Sequence, residues 1–327
     1  MPKEITHWTL AEMAFRRLSD ASLLKRIIER HRNLYRIGAV IPDTPFYMLF
    51  GKKASSFKER AERIHDADGN SFECFLPVLD RFFQDVSEPV LSLLLGITTH
   101  FYADAAFHPF VCHYSGRVTH QDKTKNRNVQ YRHHLMETHI DLHSAEKGFF
   151  KTTDTFVQLF NAIEMDRTTF AKVLATFYQA TGRDDFALVK KAIRMHAVIQ
   201  ALFDKGIVSA FFRAVNRLPG IHIDHLVSNF YPIRKPKPES LFQKPIAYRH
   251  PVTGERRCFP IRSLENQALQ HILPTFEIIE KLPDRKAISK AFNDLEGPNL
   301  YTGMMGRRQK EMRYFNDAQD LMELILT

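Results

Sequence analysis

The sequence predicts a mainly α-helical protein, a multi-helix bundle carrying one small β-hairpin element in its C-terminal region. Three observations lead there. Apolar residues recur at helical spacing along most of the 327 residues. The interruptions coincide with Pro, Gly and residues that cap helices. Only the stretch around residue 250 alternates as a strand does.

A first helix is expected from near Thr6 through Leu18, with Leu10, Met13, Ala14 and Leu18 on one face. A second should span about Asp20 to Tyr35, with Gly38 as its terminator. Pro42 and Pro45 exclude a continuing helix, so the segment from Gly38 to Pro45 reads as a loop. A further loop, His65-Asp-Ala-Asp-Gly69, precedes a helix from about Ser71 to Phe83. Ser87 caps the next helix, with Glu88 and Pro89 in its first turn. That helix should run through Leu91–Leu95 to about Ala106 and stop before Pro109. A basic loop from Gly116 to Asn128 leads to a helix over Val129 to Ala145, and three more are expected between Thr153 and Asn216. After about His222 the texture changes. Lys235-Pro-Lys-Pro reads as an extended linker, and the segment from Ile246 to Ile261 alternates around a Thr-Gly turn like a hairpin. Helices resume from about Ser263 to Lys281 and again near the C-terminus. The expected organisation is a helical domain over residues 1–221 with a C-terminal extension, 222–327, packed on it.

An apolar fraction of 44% can bury a full core, so a metal would serve chemistry rather than scaffolding. The 27 Phe point to a Phe-rich core or an apolar substrate cleft. A formal charge of +9 suggests affinity for anions: phosphate esters, nucleic acid or acidic lipid headgroups. Three cysteines, Cys74, Cys112 and Cys258, cannot all pair and lack CxxC spacing, which fits a reducing compartment. The opening MPKEITHWTLAEMAF lacks the apolar core of a signal peptide, and the apolar run near Val90 to Leu95 is too short to span a bilayer. A soluble, cytoplasmic protein is expected.

Histidine is the uneven residue. Of 16, eleven lie at or before His143, and eight of those fall between His100 and His143. His100 and Asp104 stand four apart on a predicted helix and so project from one face, and His133 and Glu137 repeat the geometry on the next. An imidazole and a carboxylate one turn apart can share a metal ion, and the mixed donor set suits zinc. The same spacing also arises in ordinary surface pairs worth a few tenths of a kcal/mol. His100 lies in the apolar run from Leu93 to Tyr102, however, and a buried Asp104 would need a positive partner to stay ionised. His134, His139 and His143 read as supporting or surface residues, and His113 and His120 as solvated members of the basic loop.

Taken in order, the set resembles the zinc-dependent phospholipase C family, whose relatives include the fungal single-strand zinc nucleases. The segments that carry the resemblance are Thr6-His7-Trp8, the loop Gly38-Ala-Val-Ile-Pro-Asp43, His65, Gly96-Ile-Thr-Thr-His100-Phe-Tyr-Ala-Asp104, His108-Pro109 and His133-His-Leu-Met-Glu137. They cover about residues 5 to 145, and the helical layout extends the likeness loosely to about 220. The resemblance implies a helical bundle of the phospholipase C and zinc nuclease type holding two or three zinc ions. On that pattern Asp43, His65, His100 and Asp104 bind one zinc, and His108, His133 and Glu137 bind another. Asp104 would bridge to a third that also takes His7. In secreted relatives the processed N-terminal residue completes the third site, whereas here Met1-Pro2 stands only a few residues before His7.

The implied activity is phosphodiester hydrolysis by a zinc-activated hydroxide, with Asp43 orienting the water or taking its proton. A phospholipid is the expected substrate, with peripheral membrane contact and with Phe46 and Tyr47, near Phe50, lining a lipid cleft. Two alternatives stand beside it: a nuclease of the same fold, stacking bases on those aromatics, and a non-catalytic zinc- or lipid-binding protein with an incomplete cluster. In the C-terminal region, Arg307, Arg308 and Lys310 beside Tyr301 and Tyr314 read as a solvated charged face.

Overall fold

A computed structural model of the chain describes residues 3–316 except 52, 83–86, 119–122, 181, 234–241, 243 and 283–284. The Lys235-Pro-Lys-Pro segment, His120 and everything beyond residue 316 lie outside the described residues. The chain is mainly helical: α1 (Glu4–Arg17), α2 (Leu23–Arg30), α3 (Arg32–Gly38), a 3-10 turn (Ile41–Tyr47), α4 (Ala54–His65), a second 3-10 turn (Ser71–Phe75) and α5 (Leu76–Phe82). Then come α6 (Ser87–Ser115), α7 (Lys123–Ala145), α8 (Phe156–Asn161), α9 (Arg167–Phe177), α10 (Arg183–Gln200), α11 (Gly206–Asn216) and α12 (Asp224–Val227). The hairpin β1 (Ile246–Arg249) and β2 (Arg256–Phe259) precedes α13 (Arg262–Glu280) and α14 (Arg285–Asp294). The strands pair antiparallel with Ile246 opposite Phe259, across a turn where Gly254 takes a φ of 74°.

The middle of the molecule is α6. Helices α1, α3, α7 and α13 lie against it, and every residue from Val90 to Ser115 is buried. The helix is long and apolar enough to cross a bilayer by length and composition, well beyond the run at Val90–Leu95, but its apolar window is wholly covered by protein. It is a core helix, buried on every side. The phenylalanines serve the core as well: Phe72, Phe75, Phe101 and Phe292 stack or meet edge-on with centroids 5.0–5.9 Å apart.

Two glycines set how closely α3 and α6 approach. A Cβ on Gly96 would lie 2.0 Å from Tyr35 O and 2.9 Å from Gly38 Cα; one on Gly38 would lie 2.3 Å from Leu93 O. Gly38 is therefore a contact residue inside the last turn of α3, not a left-handed terminator.

Several boundaries differ from the sequence expectation, each for a physical reason. The expected second helix is two, broken at His31, whose carbonyl accepts from Ser92 Oγ at 2.9 Å. The helix expected from Ser71 begins as a 3-10 turn because Asn70 caps Phe72 N at 3.0 Å. α6 does not stop before Pro109 but runs on to Ser115. Pro109 removes one amide from the helix, and the Gly303 backbone, whose own amide donates to Asn299 O, packs closely against the Ala105 carbonyl, where an added Cβ would lie 2.3 Å from the oxygen. α7 begins at Lys123, inside the expected basic loop. Four helices rather than three fill residues 156–216, since Thr155, Asp166 and Gly182 each open one and the turn at 201–205 separates α10 from α11.

Candidate metal centre

Two groups of ligating side chains form around α6. The first joins Asp43 from the 3-10 turn after α3, His65 from the last position of α4, and His100 with Asp104 from α6; one donor atom from each lies within 4.8 Å of the others. His65 Nε2 is 3.1 Å from Asp43 Oδ1 and 3.5 Å from Asp104 Oδ2. His100 Nε2 is 3.5 Å and 3.2 Å from the same two atoms. The second group joins His108 of α6 to His133 and Glu137 of α7 within the same limit, with His133 Nε2 2.8 Å from Glu137 Oε1. Asp104 sits between them. Its Oδ2 is 3.8 Å from His108 Nδ1, and its Oδ1 is 3.4 Å from His7 Nε2 on α1, whose ring stacks on His100 at 4.2 Å.

The rings are oriented from behind by backbone carbonyls. His65 Nδ1 donates to Ala61 O at 2.8 Å, His100 Nδ1 to Ala39 O at 2.9 Å and His108 Nδ1 to Leu300 O at 2.6 Å. A carbonyl only accepts, so each bond puts a proton on Nδ1 and leaves Nε2 as the atom that can ligate. His7 is positioned differently. Asp141 of α7 receives Ile5 N, Thr6 N, Thr6 Oγ1 and the Tyr231 hydroxyl at 2.6–3.3 Å, which anchors the first turn of α1.

Electrostatics follow burial and carboxylates. Burial pushes His7 down, and pushes His108 and His133 well below the ordinary imidazole range, so these rings are neutral donors. Burial also opposes a charge on His65, but the carboxylates of Asp104 and Asp43 overcome it and raise that ring to about 10. His100 is raised for the same reason.

The residues fit a divalent cation. Asp104 is fully buried, yet neither of its oxygens has a hydrogen-bond partner, and the same holds for both ring nitrogens of His7 and for Nε2 of His100 and His108. The distances around Asp104 are close enough for shared coordination but lack hydrogen-bond geometry. A buried carboxylate left so would cost several kcal/mol, and a cation among these nitrogen and oxygen donors removes that cost, with zinc the natural match. A family model for zinc-dependent phospholipase C matches residues 6–181, more than half of the chain. The chain is a member of the zinc-dependent phospholipase C family. No curated protein and no solved structure matches it.

In this zinc-dependent phospholipase C family member the eight residues anticipated as ligands lie inside the matched span; seven fall into the two groups, and His7 stands beside Asp104. The neighbouring histidines go elsewhere. His134 Nδ1 donates to His225 O on α12 at 2.9 Å, and His143 lies 3.9 Å from Glu146. His113 was expected in a solvated loop; it is instead buried on α6 and donates to Tyr314 O at 2.9 Å, because α6 is longer than anticipated. Phe46 is half-buried with its ring 5.3 Å from His65, at the edge of the first group. Tyr47 stacks on His196 at 4.1 Å and its hydroxyl donates to Glu4, so it belongs to an internal polar network.

Sequence reasoning missed the contribution of residues 299–303. Leu300 N donates to His65 O at 2.9 Å while Leu300 O accepts from His108 Nδ1 at 2.6 Å, so one residue braces a candidate ligand from each group. The half-buried ring of Tyr301 stands 5.1 Å from His108 and 6.1 Å from His65, and its hydroxyl donates to Glu62 at 2.9 Å. Arg308, expected on a solvated face, pairs with Asp66 at 3.0 Å and Asp68 at 2.9 Å just after His65. No local pattern announces a contact between residues more than 190 positions apart.

One expectation concerns protons. With a pKa of about 10, His65 is protonated at neutral pH in the metal-free chain, and a protonated ring has no lone pair for a metal. Zinc binding at neutral pH should therefore release a proton from His65, and affinity should rise with pH until that ring deprotonates unaided. Calorimetric titration of zinc in buffers of unequal ionisation enthalpy reads this directly; heats that do not vary with buffer would contradict it.

Proposed function

We propose that the chain is a zinc-dependent phosphoric diester hydrolase with two or three zinc ions, acting on phospholipids. The observation that carries this reading is the buried Asp104 carboxylate, without a hydrogen-bond partner, standing between two groups of ligating side chains. Asp43, His65, His100 and Asp104 would hold one ion, His108, His133 and Glu137 a second, and His7 with Asp104 a third. Zinc, when bound, supplies positive charge to the phosphoryl oxygens and makes water acidic.

The chain's own groups do the rest. Asp43 is the member of the first group that retains some exposure, 7% against none for His65, His100 and Asp104, so its carboxylate is the one that meets incoming water. It orients that water and accepts its proton. In the metal-free chain His65 Nε2, 3.1 Å from Asp43 Oδ1, keeps the carboxylate in place. The rings of Phe46 and Tyr301 flank His65. Close by in sequence, Leu49 and Phe50 are exposed, Phe50 by 67%, an apolar rim suited to acyl chains.

Asp43→Asn keeps the shape of this side chain and removes its basicity. Hydrolysis of micellar phosphatidylcholine should fall about 10²–10⁴-fold, the usual share of a general base, on protein carrying two or more zinc ions per chain by elemental analysis. Cleavage of single-stranded DNA in preference to lipid would replace the substrate assignment. Zinc without turnover of lipid, DNA or small diesters would make the protein a binding module.

A further inference from the structure

α11 turns its apolar residues outward. Within residues 206–218 the exposed side chains include Ile207 (88%), Ala210, Phe211 (62%), Ala214 and Leu218 (54%). Their spacing of i, i+3, i+4, i+7 and i+11 draws one stripe along the helix. Between Gly206 and Asn216 no charged side chain is exposed. Scattered exposed leucines are ordinary, but a continuous stripe on a helix marks a surface that something covers.

The charges lie around the stripe. Lys205 and Arg217 are exposed at its two ends, and Arg213 runs beside it, steered by a bond from its Nε to Ser209 Oγ at 3.2 Å. Asp224, the acid that opens α12, accepts from Asn216 Nδ2 at 2.7 Å. An apolar stripe rimmed by cations is the pattern of a helix lying in the headgroup boundary of an anionic bilayer. A second copy of the chain would bring the same cations against themselves, on a protein already at +9. The surface is also near the chemistry: α11 packs on α12, and α12 on α7, which carries His133 and Glu137.

We propose that α11 with Leu218 is an interfacial anchor that seats the protein on anionic phospholipid, inserting Ile207, Phe211 and Leu218. The choice of a phospholipid surface rests on the function proposed above, but binding is measured without turnover, so the two readings fail separately.

The test is cosedimentation of the full chain with vesicles of phosphatidylcholine alone or mixed with phosphatidylserine. Expected are binding to the mixed vesicles that weakens with salt, and a loss of roughly tenfold or more on replacing Ile207→Asp and Phe211→Asp together. Lys205→Glu with Arg217→Glu should reduce binding to the level seen on phosphatidylcholine alone. Melting temperatures of the variants serve as the folding control, since all four positions are exposed. Absence of vesicle binding by the unmodified chain overturns the anchor, as does unchanged binding by the Ile207/Phe211 variant. So does a dimer in sedimentation velocity that the same variant dissociates, because a second copy would then be what covers the stripe.

Discussion

Asp104→Ala is expected to strip the centre of metal and lower diester hydrolysis by roughly 10³-fold or more, beyond the usual cost of losing a single supporting contact. No other side chain in the site approaches so many ligands: within 3.8 Å of its oxygens lie nitrogens of His7, His65, His100 and His108. Burial pushes this carboxyl up, yet the imidazoles of His100 and His65, themselves raised, outweigh it and hold the group well below the carboxylate range. It is therefore an anion at any working pH, placed where two or three cations would need one. Asp104→Asn preserves the shape but not the charge, and should lose metal nearly as completely. A protein that binds zinc only when folded gains stability from it. The zinc-dependent rise in melting temperature should accordingly be present in the parent chain and absent from both variants. Full zinc content with near-normal turnover in Asp104→Ala would remove the bridging role.

Gly96→Ala should be the most damaging single methyl in the molecule. The added carbon would sit 2.0 Å from Tyr35 O and 2.9 Å from Gly38 Cα, both backbone atoms that no rotamer change can move aside. α3 and α6 must then separate, at a cost of about 3 kcal/mol, the upper part of the range for overfilled cores. The damage should reach the metal. His100 Nδ1 is tied to Ala39 O, and Asp43 follows α3 by five residues, so parting the two helices parts two donors of the first group. Gly69→Ala is the control, since nothing lies within 4 Å of its added carbon. Urea denaturation of both variants, with zinc content measured on each, reads the prediction; equal midpoints would refute it.

These two cases also show what a sequence can and cannot disclose. His100 with Asp104, and His133 with Glu137, were legible because four residues on a helix is a local distance that any helix enforces. The hairpin was legible for the same reason, its turn and alternation being adjacent in the chain. Assembling Asp43 and His65 with them required resemblance to a family, because nothing in their own surroundings says where a loop aspartate will point. The continuation of α6 past Pro109 could not be read at all. It goes with the packing around the helix, which includes the close approach of Gly303 to the Ala105 carbonyl from almost two hundred residues away. The early start of α7 and the division of residues 156–216 into four helices escaped for a lesser reason, since capping signals there compete with equally plausible continuations.

Leu300 lends its amide to His65 and its carbonyl to His108, yet it stands far outside residues 6–181. A fragment cut to the matched span would keep every candidate ligand and lose the clasp that aims one of them. Its His108 imidazole could then flip or exchange tautomers, so such a shortened protein should capture metal loosely and without a preferred geometry. The recognisable part of this sequence is thus not a self-sufficient machine; its tail holds the tools still.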